Sequence, residues 1–78
     1  MKTYAEIVRE DRRLAILRFL SEDNDYAIND SVMQKALEQL GHSVSRDVLR
    51  ADFASLQELG LLSVDYVLDG KVHLAKIT

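Results

Sequence analysis

The three glycines of this chain, at positions 41, 60 and 70, stand where the local pattern demands a reversal, and no proline interrupts the segments between them. Glycine tolerates the left-handed backbone of helix C-terminal caps and tight hairpin turns, whereas proline breaks helices and central strands. A chain punctuated this way is regular structure between three corners.

Upstream of Gly60 the apolar residues recur at helical spacing. Residues 5–21 predict a first helix with Ile7, Leu14, Leu17 and Leu20 on one broad face. Around its C-terminal half Ile16, Leu17, Leu20, Ala15 and Phe19 go nearly all the way round, so it is expected to be buried on more than one side. A connector Glu22-Asp23-Asn24-Asp25 follows. A second helix is expected from about Asp30 to Leu40, with Val32, Met33, Ala36, Leu37 and Leu40 inward; Asn29, Asp30 and Ser31 are all competent to cap it. The third runs over 45–59 behind Ser45 as its cap, with Val48, Leu49, Phe53, Leu56 and Leu59 inward. About four residues separate the second helix from the third, which is helix-turn-helix spacing.

Beyond Gly60 the period changes to two. Leu62, Val64, Tyr66 and Leu68 alternate with Leu61, Ser63, Asp65 and Val67. Asp69-Gly70 then supplies a type I′ turn, and Lys71 to Ile77 forms the return strand. That turn sets Leu68 opposite Lys71, Tyr66 opposite His73, Val64 opposite Ala75 and Leu62 opposite Ile77. Three helices and a two-stranded wing, mainly α with one β-hairpin, make a winged helix-turn-helix in a single domain spanning 1–78.

Composition removes several function classes. With 47% hydrophobic and 29% charged residues the chain is globular rather than disordered, and 78 residues hold one small core. There is no cysteine, so thiolate metal sites and cysteine nucleophiles are excluded. No run approaches the roughly 20 apolar residues of a membrane span and no signal peptide is visible, so the expected compartment is the cytoplasm. His42 and His73 lack companions at ligand spacing, and Asp23, Asp25 and Asp30 lack the glycine and terminal glutamate of a calcium loop. No enzyme, metal or cofactor is expected.

The net charge is −3, unevenly spread. Residues 1–20 hold five basic and three acidic groups, or +2; residues 21–30 hold four acidic groups, or −4. Within the first helix Arg9, Arg12, Arg13 and Arg18 alternate with Glu6, Glu10 and Asp11, the pattern of a solvated, ion-paired face.

The runs REDRRLAILRFL (9–20), QKALEQLGHSVSRDVLRADFASLQELGLLSV (34–64) and VHLAKIT (72–78) resemble a small winged-helix family carried by Mu-like prophages. Its members are loosely described as ArsR- or MarR-like transcription regulators, with genes in the phage late region near packaging genes. The resemblance implies a winged helix, double-stranded DNA as partner, and no catalysis. It also implies a further C-terminal helix start beyond Thr78. The thiolates of metal-sensing ArsR proteins are absent, so metal regulation is not carried over.

Ser45, Arg46, Arg50 and Gln57 on the third helix, with Lys71 at the wing, are the expected DNA contacts. Arginine can bond guanine bidentately, and serine and glutamine can reach base edges or phosphate. Against them, the third helix carries Asp47, Asp52 and Glu58 to its two arginines, a balance of −1. Lys76 is expected to face solvent. Asp52 falls inside the apolar arc of its helix and therefore needs a buried partner, an arginine of the first helix or a backbone donor. A second apolar stripe on the first helix, Tyr4, Val8, Ala15 and Phe19, is expected to pack against a second subunit, making a homodimer, or against the further C-terminal segment; the alternative is that the second and third helices wrap the first enough to bury both faces. Two functions fit these readings: a dimeric DNA-binding regulator, or a winged helix that serves phage packaging or assembly as a protein-interaction module.

Overall fold

Residues 1–22 and 27–78 are described by a computed structural model. Of the expected acidic connector over 22–25, residues 23–25 lie outside the described part. The elements are α1 (Tyr4–Glu22), β1 (Ile28–Asn29), α2 (Asp30–Gln39), α3 (Arg46–Glu58), β2 (Leu62–Val67) and β3 (Val72–Ile77).

Side-chain caps fix where the second and third helices begin. Of the three candidates before α2, Asn29 is the cap, its Oδ1 accepting the Val32 N–H at 2.8 Å. Ser45 does the same for α3, its Oγ accepting the Val48 N–H at 3.2 Å. Each satisfies one of the N–H groups a helix start leaves without an internal partner. Gly41 (φ +87°) and Gly60 (φ +74°) follow the last turns of α2 and α3, the conformation in which glycine is favoured.

The hairpin has the expected register: Leu62 faces Ile77, Val64 faces Ala75 and Tyr66 faces His73. Its tip is the type I′ turn, with the Lys71 N–H donating to the Leu68 carbonyl at 3.1 Å and positive φ at Asp69 (+56°) and Gly70 (+81°). Leu68 departs from expectation. It too is left-handed, at φ +52°, so the ladder ends one pair early at Val67–Val72. The short β1 pairs with β3 on the side away from β2, Ile28 facing Ala75, and completes an antiparallel sheet of order β1-β3-β2.

The three helices close over one face of that sheet. Ile16 and Leu20 of α1, Met33 and Leu37 of α2, and Leu49, Phe53 and Leu56 of α3 meet Leu62, Val64 and Ala75 of the sheet in a single core. At roughly 1.5–3 kcal/mol for each large apolar side chain taken out of water, this cluster is the main stabilising term of the fold. The arrangement is that of a winged helix-turn-helix.

The C-terminal half of α1 is buried on more than one side, as expected, but Ile7 and Leu14 of the expected face are not part of the core. Arg12, Ala15, Ile16 and Leu20 are buried, whereas Ile7 and Leu14 are more than half exposed. Asp52 of α3 faces α1 in the interior and takes Arg12 and Arg13 as partners. Arg12 shares the inward arc with Ala15, Ile16 and Leu20, and Ile7 and Leu14 fall on the opposite side of the helix. Val48 and Leu59 of α3 and Val32 and Leu40 of α2 are likewise exposed, flanking the narrower stripes that meet the sheet.

Candidate nucleic-acid interface

Helix α3 presents Asp47, Ala51, Ala54, Gln57 and Glu58 to solvent, with Arg46 and Arg50 along one flank. In a helix-turn-helix this element enters the major groove. The flank is built around Asp30, the first residue of α2, which is only 1% exposed. Its Oδ2 accepts from Arg50 Nε at 2.8 Å, its Oδ1 accepts from the Ser31 N–H at 2.9 Å, and Arg46 Nη1 stands 3.8 Å from Oδ1. Burial raises the pKa of this carboxyl, but the hydrogen bond and charge of Arg50, the charge of Arg46 and the Ser31 N–H outweigh it. The net effect holds Asp30 below its ordinary value of 3.8, so it is a carboxylate at neutral pH.

Arg50 reaches further. Its Nη2 donates to the Lys71 carbonyl at 2.7 Å, which ties the middle of α3 to the wing turn. Arg46 donates through Nε and Nη2 to Gln34 Oε1 at 3.3 and 3.2 Å, and Gln34 Nε2 donates to the Val44 carbonyl at 2.8 Å. The structure therefore brings Arg46, Arg50 and the backbone of Lys71 onto one surface, with two of Arg50's three guanidinium nitrogens already occupied.

The remaining expected contacts have internal duties. Ser45 Oγ caps its own helix, and Gln57 Oε1 accepts the Val64 N–H at 2.7 Å, fastening α3 to β2. Asp30 was legible only as a cap candidate or connector residue. Nothing local in the sequence marks its pairing with Arg50, twenty positions on.

Asp52 has the partners its position required. Its 2% exposed carboxylate receives Arg12 through Nε at Oδ2 and through Nη2 at Oδ1 (3.1 Å), and Arg13 Nε at Oδ1 (3.0 Å). Arg13 Nη2 also reaches Ser55 Oγ at 3.3 Å. Of the arginines read as a solvated face, Arg12 is therefore an interior side chain and Arg13 a half-buried one.

The stripe proposed for dimerisation is divided. Ala15 belongs to the domain's own core and Phe19 is half-buried against it, because their arc of α1 faces inward; Val8 is half-buried as well, and only Tyr4 lies open. Among the described residues no group of His, Cys, Asp or Glu could hold a metal ion. His42 Nε2 lies 2.8 Å from Asp11 Oδ2, and the His73 ring meets Tyr66 edge-on at 4.7 Å. No described helix is long and apolar enough to cross a membrane.

Fold and surface together define a small winged-helix type of domain. In sequence the chain is related to an uncharacterized protein of Haemophilus influenzae, 38% identical over 68 residues, which are 87% of this chain and 66% of that one. It is also related to the uncharacterized protein gp26 of Escherichia phage Mu, 47% identical over 60 residues, 77% of this chain and 62% of gp26. The chain thus spans under two thirds of either relative. Neither is described as a transcription regulator. No family model and no solved structure matches the chain.

Proposed function

We propose that this is a phage-type winged-helix protein that binds double-stranded DNA in the cytoplasm as a dimeric transcription regulator, without catalysis. The observation that carries the reading is the Arg50 bridge. By holding Asp30 and the Lys71 carbonyl together, Arg50 makes the flank of α3 and the wing turn one continuous surface on which Arg46, Arg50 and Lys71 can meet a duplex. A guanidinium fixed in advance loses less rotamer freedom on binding than one swinging in water.

Electrostatics make such binding weak. Three cations per subunit set a salt slope of about −2.7 for one copy and about −5.4 for two, since each neutralised phosphate contributes roughly −0.9. Asp30, Asp47 and Asp69 beside them lower both values. That same acidity favours a second reading, a winged helix whose α3 face of Asp47, Ala51, Ala54 and Glu58 docks a protein in phage packaging or assembly.

A duplex titration over a series of salt concentrations separates the two. Under the DNA reading, affinity falls as salt rises, Lys71→Ala weakens binding to all sequences alike, and Asp47→Asn tightens it by removing a charge that repels phosphate. Arg50→Ala is the less clean variant, because it also strips a buried carboxylate of its main partner. No binding at low salt by either the parent or Asp47→Asn refutes the DNA reading and leaves the protein-docking one.

A further inference from the structure

The exposed side of α1 carries Tyr4, Ile7, Asp11, Leu14 and Arg18 within an arc of about 80° at helical spacing. Next to it, between α1 and the C-terminal end of α2, lies a groove of about 210 Å³ lined by Asp11, Leu14, Ala15, Arg18 and Leu40. Its floor is Ala15, and its apolar walls are Leu14 and Leu40, each 55% exposed.

The four α1 residues of the groove fall at i, i+3, i+4 and i+7. That is the four-residue hole into which a side chain of a facing helix inserts when helices pack knobs-into-holes. The charges at the ends of the hole are opposite, Asp11 toward the N-terminus of α1 and Arg18 toward its C-terminus. Such a patch is complementary to its own two-fold image. When two α1 helices lie antiparallel about a two-fold axis through the hole, each Asp11 faces Arg18 of the partner subunit, and Leu14 meets the partner's Leu14 on one side of the axis while the two Ala15 floors face each other on the other. A two-fold interface requires that reciprocity, residue for residue. Asp11 can serve it while holding His42, because His42 approaches only Oδ2.

We infer that the Asp11–Leu14–Ala15–Arg18 groove of α1, walled by Leu40, is a self-association surface that pairs two copies of this chain antiparallel through α1. The surface differs from the Tyr4, Val8, Ala15 and Phe19 stripe, sharing only Ala15 at the floor and leaving Phe19 packed against the core. It concerns the dimeric part of the proposed function and is independent of DNA binding. The footprint is one helix face, so the association belongs among small, transient interfaces.

Sedimentation equilibrium from about 5 to about 500 µM covers the affinities expected of an interface this small. The parent chain should pass from monomer to dimer within that range. Asp11→Arg alone and Arg18→Asp alone should each remain monomeric, since each homodimer would then face two like-charged pairs. An equimolar mixture of the two variants should dimerise again, because both cross-pairs become Arg with Asp. Circular dichroism of each variant confirms that its helices are intact. A parent that is monomeric throughout, a parent dimer untouched by Asp11→Arg, or a mixture no more associated than its components overturns the inference. A monomer that nevertheless binds duplex overturns this surface and leaves the DNA reading standing.

Discussion

Replacing Asp52 by alanine should remove a large share of the stability of this domain. The carboxylate is 2% exposed and is shared by the buried guanidinium of Arg12 and the half-buried one of Arg13. Removing it leaves Arg12 charged in the interior without a counter-ion, a situation that costs about 3–5 kcal/mol. A 78-residue domain has in total roughly 4–12 kcal/mol to lose, at about 0.05–0.15 kcal/mol per residue. With a urea dependence near 1 kcal/mol per molar for so small a chain, the midpoint should fall by about 3 M or more. The companion variant Arg12→Met with Asp52→Leu removes both charges and fills the space with apolar atoms. It should lie within about 1–2 kcal/mol of the parent, because a buried ion pair replaced whole loses its desolvation penalty along with its attraction. Arg13 can then turn to water. Urea unfolding followed by circular dichroism measures all three proteins. A fall of less than about 1 kcal/mol for Asp52→Ala, or a double variant as unstable as the single one, would refute the reasoning.

Asp30 predicts an acid-side loss of stability. Its pKa is lower in the fold than in the unfolded chain, so its contribution is complete well above 3.8 and is lost as pH falls through that value toward the lower folded one. The difference in urea midpoint between the parent and Asp30→Asn should therefore shrink as the pH is lowered from 7 to about 3. Ser45→Ala should cost about 1 kcal/mol through loss of the α3 cap, seen as a drop of roughly 4–8 °C in Tm. At the wing tip a Cβ on Gly70 meets nothing within 4 Å, so Gly70→Val carries only the conformational cost of φ +81°, about 1–2 kcal/mol. Leu68→Asn should act in the opposite sense and raise Tm, because asparagine tolerates the left-handed backbone better than leucine.

What was legible in the sequence was whatever a few neighbouring residues decide. The caps at Asn29 and Ser45, the glycine corners and the Asp69-Gly70 turn are local signals, and the turn sets the hairpin register by itself. The strand Ile28–Asn29 left no trace because two residues have no period; it exists only through its pairing with Leu74 and Ala75. Of α1, the residues around Ile16 and Leu20 were placed correctly, but Ile7 and Leu14 look like core residues on spacing alone, and nothing local shows that Arg12 has a buried partner forty positions away. Asp52 announced that it needed a counter-charge but could not say whether an arginine or a backbone donor would supply it. The site followed the same rule. Arg46 and Arg50 were found on the expected helix, while the Asp30 carboxylate and the Lys71 carbonyl that hold them belong to distant segments.

The strand order has a consequence for biosynthesis. β3 is the last of these elements to be made, yet it lies in the middle of the sheet, so β1 and β2 share no edge until it arrives. On the ribosome the helices can form as they emerge, but Ile28 and Val64 must wait for Ala75, which faces both of them. Until then β2 offers an unpaired edge beside an uncovered apolar face, the state most open to pairing with another nascent chain. A stop anywhere upstream of Ala75 would lengthen that interval indefinitely. Chains that end within residues 72–74 and are released should accordingly yield aggregates rather than a shortened native domain.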